Sequence, residues 1–182
     1  NNEKETLKIL SDAGTLIAKK VEDQISVNMG IVTTEWDRIP LTKEMDTLNV
    51  PIHVEGFDSG VAVNIGNPHV VFFGKSIENI NLNEIGPKIE QHPFFPNKTN
   101  VEFIQVVNSN TIKMKVWERG AGITLACGSG ACAAVYAGWK KKLIEKNSEV
   151  QLEKGSLHIN IVNNEAIMTG PAEISYNGYI HI

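Results

Sequence analysis

Cysteine is scarce in this sequence, with two among 182 residues, Cys127 and Cys132. So few exclude a disulfide scaffold of the secreted kind. A metal pair at their Cys-x4-Cys spacing would need further soft ligands, and no third cysteine or nearby histidine is there to supply them. Long apolar runs are missing too, which removes a membrane span. The opening, NNEKETLKIL, has neither the charge pattern nor the apolar core of a signal peptide. Basic charge is not in excess: 17 Lys and Arg stand against 21 Asp and Glu, for a net charge of −4. That balance gives no electrostatic footprint for nucleic acid. Low-complexity segments, repeats and the long surface helices of doubly wound α/β proteins are absent as well. These exclusions leave a cytoplasmic protein, free of membrane and nucleic acid, long enough for one good core or two small ones.

What is present is mostly short strands. TLKILS, TLIAKKV and QISVNMG alternate apolar and polar residues and read as a three-stranded meander over residues 6–30. A polar connection follows. VPIHVEG and VAVNIG read as a hairpin across FDSG, and HVVFFG as a further strand. Leu82, Ile85 and Ile89 sit at helical spacing behind a possible Asn81 cap. VEFIQVV and TIKMKVWE form a hairpin across NSN, and VQLEKG, SLHINIV, AIMTGP and EISYNGYIHI read as closing strands. Between them, Ala131, Cys132, Ala133, Ala134, Val135, Ala137 and Gly138 are small or apolar on nearly every face, the mark of a helix buried all round. The expectation is an α+β fold: a mixed, curled, barrel-like sheet wrapped around a central buried helix.

The chemistry points to the stretch TLACGSGACAAVYAGWKK. It reads as a strand ending near Ala126, a turn through Gly128 and Gly130, and a helix from about Gly130 to Ile144. The first N–H groups of a helix lack intrahelical partners and favour negative charge. Cys127 at that point is expected to be more acidic and more reactive than a free cysteine. Gly128 and Gly130 allow close backbone approach, and Ser129 offers a hydroxyl donor or a helix cap. The alternative is an ordinary core cysteine, which is how Cys132 reads.

Local pattern alone leaves Asn67, His69, Asn97 and Asn100 as turn residues. Glu118 and Arg119 in VWERGAG are different, because the glycines after them return the chain toward the thiol turn. An acid, a guanidinium, a thiol and a helix start suit an amino acid, with Glu118 on an ammonium and Arg119 on a second carboxylate. Two reactions fit the set. Acyl transfer would need His69 as base. Proton abstraction beside a carboxylate would use the thiolate as base and the helix N–H groups to stabilise charge. Inversion would need a second acid on the opposite face, and no second thiol occupies a comparable turn.

The blocks NMG, GNPHVVF, FPNKTNVEFIQVV, VWERGAGITLACGSGACAAV and MTGPA, in this order and spacing, resemble the diaminopimelate epimerases across essentially the whole chain. The resemblance implies a two-domain fold and a cofactor-free, PLP-independent isomerase. Such an enzyme interconverts LL- and meso-diaminopimelate, for lysine and peptidoglycan precursor synthesis in bacteria, with two cysteines as acid and base. It implies Cys127 as one catalytic thiol, and Asn67, Asn100, Glu118, Arg119, Gly128 and Ser129 as substrate contacts. His69 and Glu118 would tune the thiols. No metal is implied, and a homodimer is compatible with it.

The family's other cysteine precedes the point where this chain begins, so the chain is expected to be a later part of the enzyme, with half the active site and little activity alone. Residues 1–30 and 173–182 would then be strands of the first domain, and 31–172 the second domain. The alternatives are a proline-racemase-like enzyme, which shares a Cys-Gly-Thr/Ser-Gly turn without the ERGAG lead-in, and a non-catalytic remnant of the fold that binds an amino acid or a partner.

Overall fold

The N-terminal meander forms where alternation places it. In a computed structural model that describes residues 6–11, 14–174 and 176–180, β1 (Thr6–Ser11), β2 (Gly14–Val21) and β3 (Gln24–Ile31) pair antiparallel in chain order. Eight more strands follow: β4 (Val61–Asn64), β5 (Pro68–Gly74), β6 (Asn100–Asn108), β7 (Thr111–Glu118), β8 (Gly122–Ile123), β9 (Asn147–Leu152), β10 (Gly155–Val162) and β11 (Glu165–Pro171). Helix α1 (Leu82–Glu90) lies between β5 and β6, and α2 (Gly128–Lys140) between β8 and β9.

All the strands join one mixed sheet in the order β1-β2-β3-β11-β10-β9-β7-β6-β5-β4, with β8 on β7. Among the described residues only β5–β6 and β7–β9 are parallel. Parallel neighbours need a long crossover, and these two pairs are the places where the helices intervene. The sheet is not a closed barrel. Thr33, just past β3, nevertheless exchanges two hydrogen bonds with Asn64 of β4, both 2.9 Å, so the curled sheet meets itself at one bridge. Inside the curl, α2 packs on β4, β5, β6, β9, β10 and β11.

Two clusters make the core. One surrounds α2, where Ala131 to Ala137 are all buried among Val61, Val71, Phe73, Ile104, Met114, Val150 and Ile159. The other lies on the far face of the same strands, where Ala62, Val70, Phe72, Val101 and Phe103 meet Leu82 and Ile89 of α1 and the 39–54 connection. Successive strand residues point to opposite faces, so strands covered on both sides read as unbroken apolar runs. The runs VAVN and HVVFF follow from that.

Three expectations are corrected. VPIHVEG is not a strand, and β4 pairs instead with β5 across Ile65, Gly66 and Asn67. Val50, Ile52 and Val54 are buried in alternation, but Pro51 has no N–H for a ladder, and only Val50 makes a bridge, to Gly60. The thiol-bearing helix runs from Gly128 to Lys140 rather than from 130 to 144, and the strand before it stops at Ile123. In EISYNGYIHI, residues 173–174 and 176–180 carry no strand. Ile174, Tyr176, Tyr179 and Ile180 lie exposed there, because alternation makes a strand only beside a neighbour that completes the ladder. Residues 175, 181 and 182 of that segment lie outside the described residues.

Candidate active site

Cys127 is the N-cap of α2. Its backbone is extended (φ −138°, ψ 108°), and its Sγ accepts a hydrogen bond from Gly130 N at 3.3 Å, with Ser129 Oγ 3.5 Å away. The thiol thus takes the capping position that the sequence offered to Ser129. Its carbonyl accepts from Ala131 N at 2.9 Å, closing the first turn. Gly128 lies against β11, where a Cβ would stand 2.9 Å from Met168 Sδ.

The expected acidity of this thiol is overturned. Burial, and after it the charge of Glu102, pushes Cys127 up to about 12. The hydrogen bonds from Ser129 and Gly130 pull the other way, and Glu118 adds to the rise. Desolvation of the anion and two nearby carboxylates outweigh the attraction of the helix start. At neutral pH, Cys127 is therefore a thiol. Cys132 is fully buried in the core around α2, as expected of a structural residue, and burial raises it further still.

His69 is not an exposed turn residue. It is fully buried on β5, with Nδ1 2.6 Å from Glu102 Oε1 and Nε2 3.0 Å from Asn67 Oδ1. Glu102, on β6, is also fully buried, and its Oε2 has no hydrogen-bond partner among the described residues. Sequence reasoning missed Glu102. The one available signal was a single charge inside the apolar run VEFIQVV, where a solvated side chain has no room.

Asn100 joins two turns. Its Nδ2 donates to Pro68 O at 2.9 Å, and its Oδ1 accepts from Arg119 N at 2.9 Å. The NPH turn, the strand that bears Glu102 and the ERG turn are held together through this side chain. The Arg119 guanidinium is exposed, with Nη1 donating to Asn97 O at 3.1 Å. Glu118 accepts from Thr124 Oγ1. The carboxylate that meets His69 is therefore Glu102, while Glu118 holds the loop that leads to Cys127. Behind the ERG turn, buried Glu90 of α1 accepts from Trp117 Nε1 at 2.7 Å and Gly120 N at 3.2 Å, with Lys98 Nζ 3.4 Å away.

Among the described residues, no group of three or more His, Cys, Asp or Glu side chains is placed to hold a metal ion, and no helix is long and apolar enough to cross a membrane. The assembled groups are a protonated thiol, hydroxyl and backbone donors at a helix start, an exposed guanidinium and two carboxylates. Their chemistry is that of binding a zwitterion and moving a proton.

Known proteins resemble this chain in sequence and in fold. The diaminopimelate epimerase of Pelagibacter ubique is 42% identical over 175 residues, covering 92% of this chain and 64% of the relative. That of Carboxydothermus hydrogenoformans is 43% identical over 181 residues, covering 98% and 66%. The chain thus spans a little under two thirds of these relatives' length. Solved structures share the fold at low identity. A phenazine biosynthesis PhzF family protein from Enterococcus faecalis superposes with a TM-score of 0.65 at 16% identity, over all of this chain and 67% of that one. A hydroxyproline epimerase from Agrobacterium vitis superposes with a TM-score of 0.64 at 13% identity, over 94% and 58%. The diaminopimelate epimerase family model matches residues 61–175, the stretch that runs from β4 through His69, Glu102 and Cys127 past β11, and the chain belongs to that family.

Proposed function

We propose that this chain is the Cys127-bearing part of a cofactor-independent epimerase that interconverts LL- and meso-diaminopimelate. The observation that carries the reading is the position of Cys127 Sγ at the cap of α2, beside Ser129 and Gly130 and one short loop from Glu118 and Arg119. In this reading the first N–H groups of α2 and the Ser129 hydroxyl bind the carboxylate at the reacting carbon. They also stabilise the charge that spreads onto it when the α-proton leaves. Cys127, a thiol at rest, delivers a proton to one face of that carbon. Glu118 takes the ammonium and Arg119 the distal carboxylate, in a paired, charge-assisted contact.

Inversion needs a base on the opposite face. On this reading that second thiol comes from outside the 182 residues, so the chain alone supports at most slow exchange of the α-hydrogen. The test is alkylation of Cys127 with and without diaminopimelate, read by peptide mass. Protection by diaminopimelate but not by proline is the expected result. Equal rates with and without diaminopimelate would leave a remnant that binds no such ligand, and protection by proline would favour a proline-racemase-like site.

A further inference from the structure

Glu102 has no part in the proposed chemistry, yet its placement is expensive. A carboxylate with no exposure and one unpartnered oxygen is an arrangement that folds ordinarily avoid. Gly130 shows what it faces. A Cβ there would stand 2.8 Å from Glu102 Oε1 and 3.2 Å from Cys127 Sγ. The carboxylate and the thiol therefore border one small gap, which only glycine leaves open.

His69 holds the carboxylate in that place. Asn67 Oδ1 can only accept, so His69 Nε2 carries a hydrogen and donates it. The 2.6 Å contact between Nδ1 and Oε1 then ties the ring to the carboxylate. The ionisable groups that face Sγ are Glu102 from β6, Glu118 from the end of β7 and Cys132 within α2, with His69 of β5 behind Glu102. Other ionisable groups on strands packed against α2 are engaged elsewhere. Glu165 accepts from Asn28, His158 bonds Asn147, and Glu149 neighbours buried Val150 and so points to the opposite face of β9.

We propose that Glu102 is a positioning residue: locked by His69 and facing Sγ across Gly130, it holds Cys127 in the thiol form and so makes this half of the site the resting proton donor. Its meaning in turnover rests on the epimerase reading, but its test needs no substrate. The intact chain is alkylated with iodoacetamide across the alkaline range, and modification of Cys127 is followed by peptide mass. Glu102→Gln removes the charge at nearly constant shape. Its profile should move to lower pH by about one unit or more, so that Cys127 reacts roughly tenfold faster at pH 8. A folded Glu102→Gln chain with an unmoved profile overturns the proposal.

Should that variant fail to fold, His69→Gln serves instead. It removes the ring that contacts the carboxylate and leaves that charge facing Sγ without its partner, so the profile should rise. An unmoved or lowered profile would overturn the proposal equally. Diaminopimelate protection separates the two ideas. A shifted profile without protection sinks the epimerase reading and leaves Glu102's effect on the thiol standing, whereas protection with an unmoved profile sinks the Glu102 inference alone.

Discussion

Strands β1–β3 and strands β4–β6 are both rich in apolar residues, but the first set leaves Leu7, Ile9, Leu10, Ile17 and Ile31 exposed while the second buries most of what it has, Val107 at the end of β6 excepted. In β2 only Ala18 is buried. The difference lies in what covers them. α2 lies on one face of β4–β6, with α1 and the 39–54 connection on the other. Among the described residues the meander gives the core around α2 only Met29, partly buried. The two cysteines repeat the lesson at α2: Cys127 caps the helix and borders the gap beside Gly130, whereas Cys132 lies within the helix and is wholly enclosed.

The cysteine contrast should give the largest effect. Cys127→Ala should lower diaminopimelate-dependent exchange of the α-hydrogen by about a hundredfold or more, the scale of a lost general acid or base. Cys132→Ala should change it only a few fold. Exchange into deuterated water, followed by mass spectrometry, decides it, and equal losses would erase the distinction.

In the covered sheet, Phe103 stacks with Phe72 at 5.3 Å and meets Phe57 edge-on at 5.0 Å. Phe103→Ala should cost about 3–5 kcal/mol in urea unfolding. The corresponding loss for Leu10→Ala, at 85% exposure, should stay within about 0.5 kcal/mol. A large loss at Leu10 would mean that the meander is covered in solution.

Glu90 sharpens the contrast between buried carboxylates. Burial by itself would raise its carboxyl, but hydrogen bonds from Trp117, Gly120 and Lys98, with the charge of Lys98, hold it below its ordinary value of 4.5. A depressed folded value means that the contribution to stability is present above the ordinary value and is lost as pH falls through the folded one. The unfolding midpoint should therefore fall as pH drops below about 4.5, and Glu90→Gln should blunt that fall. An identical slope in the variant would show that Glu90 is not the group responsible.

The smallest effect belongs to Leu10→Lys. Its change in stability should be within about 0.5 kcal/mol, with less self-association at high concentration by sedimentation velocity. Unchanged association would remove Leu10 from the contacting face.

Much of the fold could be read from the chain. The meander, the β6–β7 hairpin and the fully apolar helix α2 are local patterns whose periods survive folding. The segment from Val50 to Val54 misled because burial alternates in a loop just as it does in a strand, and only Pro51 hinted otherwise. The candidate site could be proposed from local sequence where it is continuous, at Glu118, Arg119 and Cys127 to Ser129, and not where it is assembled from separate strands. By local pattern His69 reads as a turn residue and only the resemblance gave it a part beside the thiol, while Glu102 reads as nothing in particular.

The sequence by itself determined that a cysteine stands at the start of a buried helix, just before two glycines, because caps, glycine turns and apolar periodicity act over a few residues. Whether that cysteine rests as thiolate or thiol was decided only by the tertiary structure. Desolvation and charge act through space, and it is the β5–β6–α2 packing that buries the sulfur and brings a carboxylate from another strand up to it.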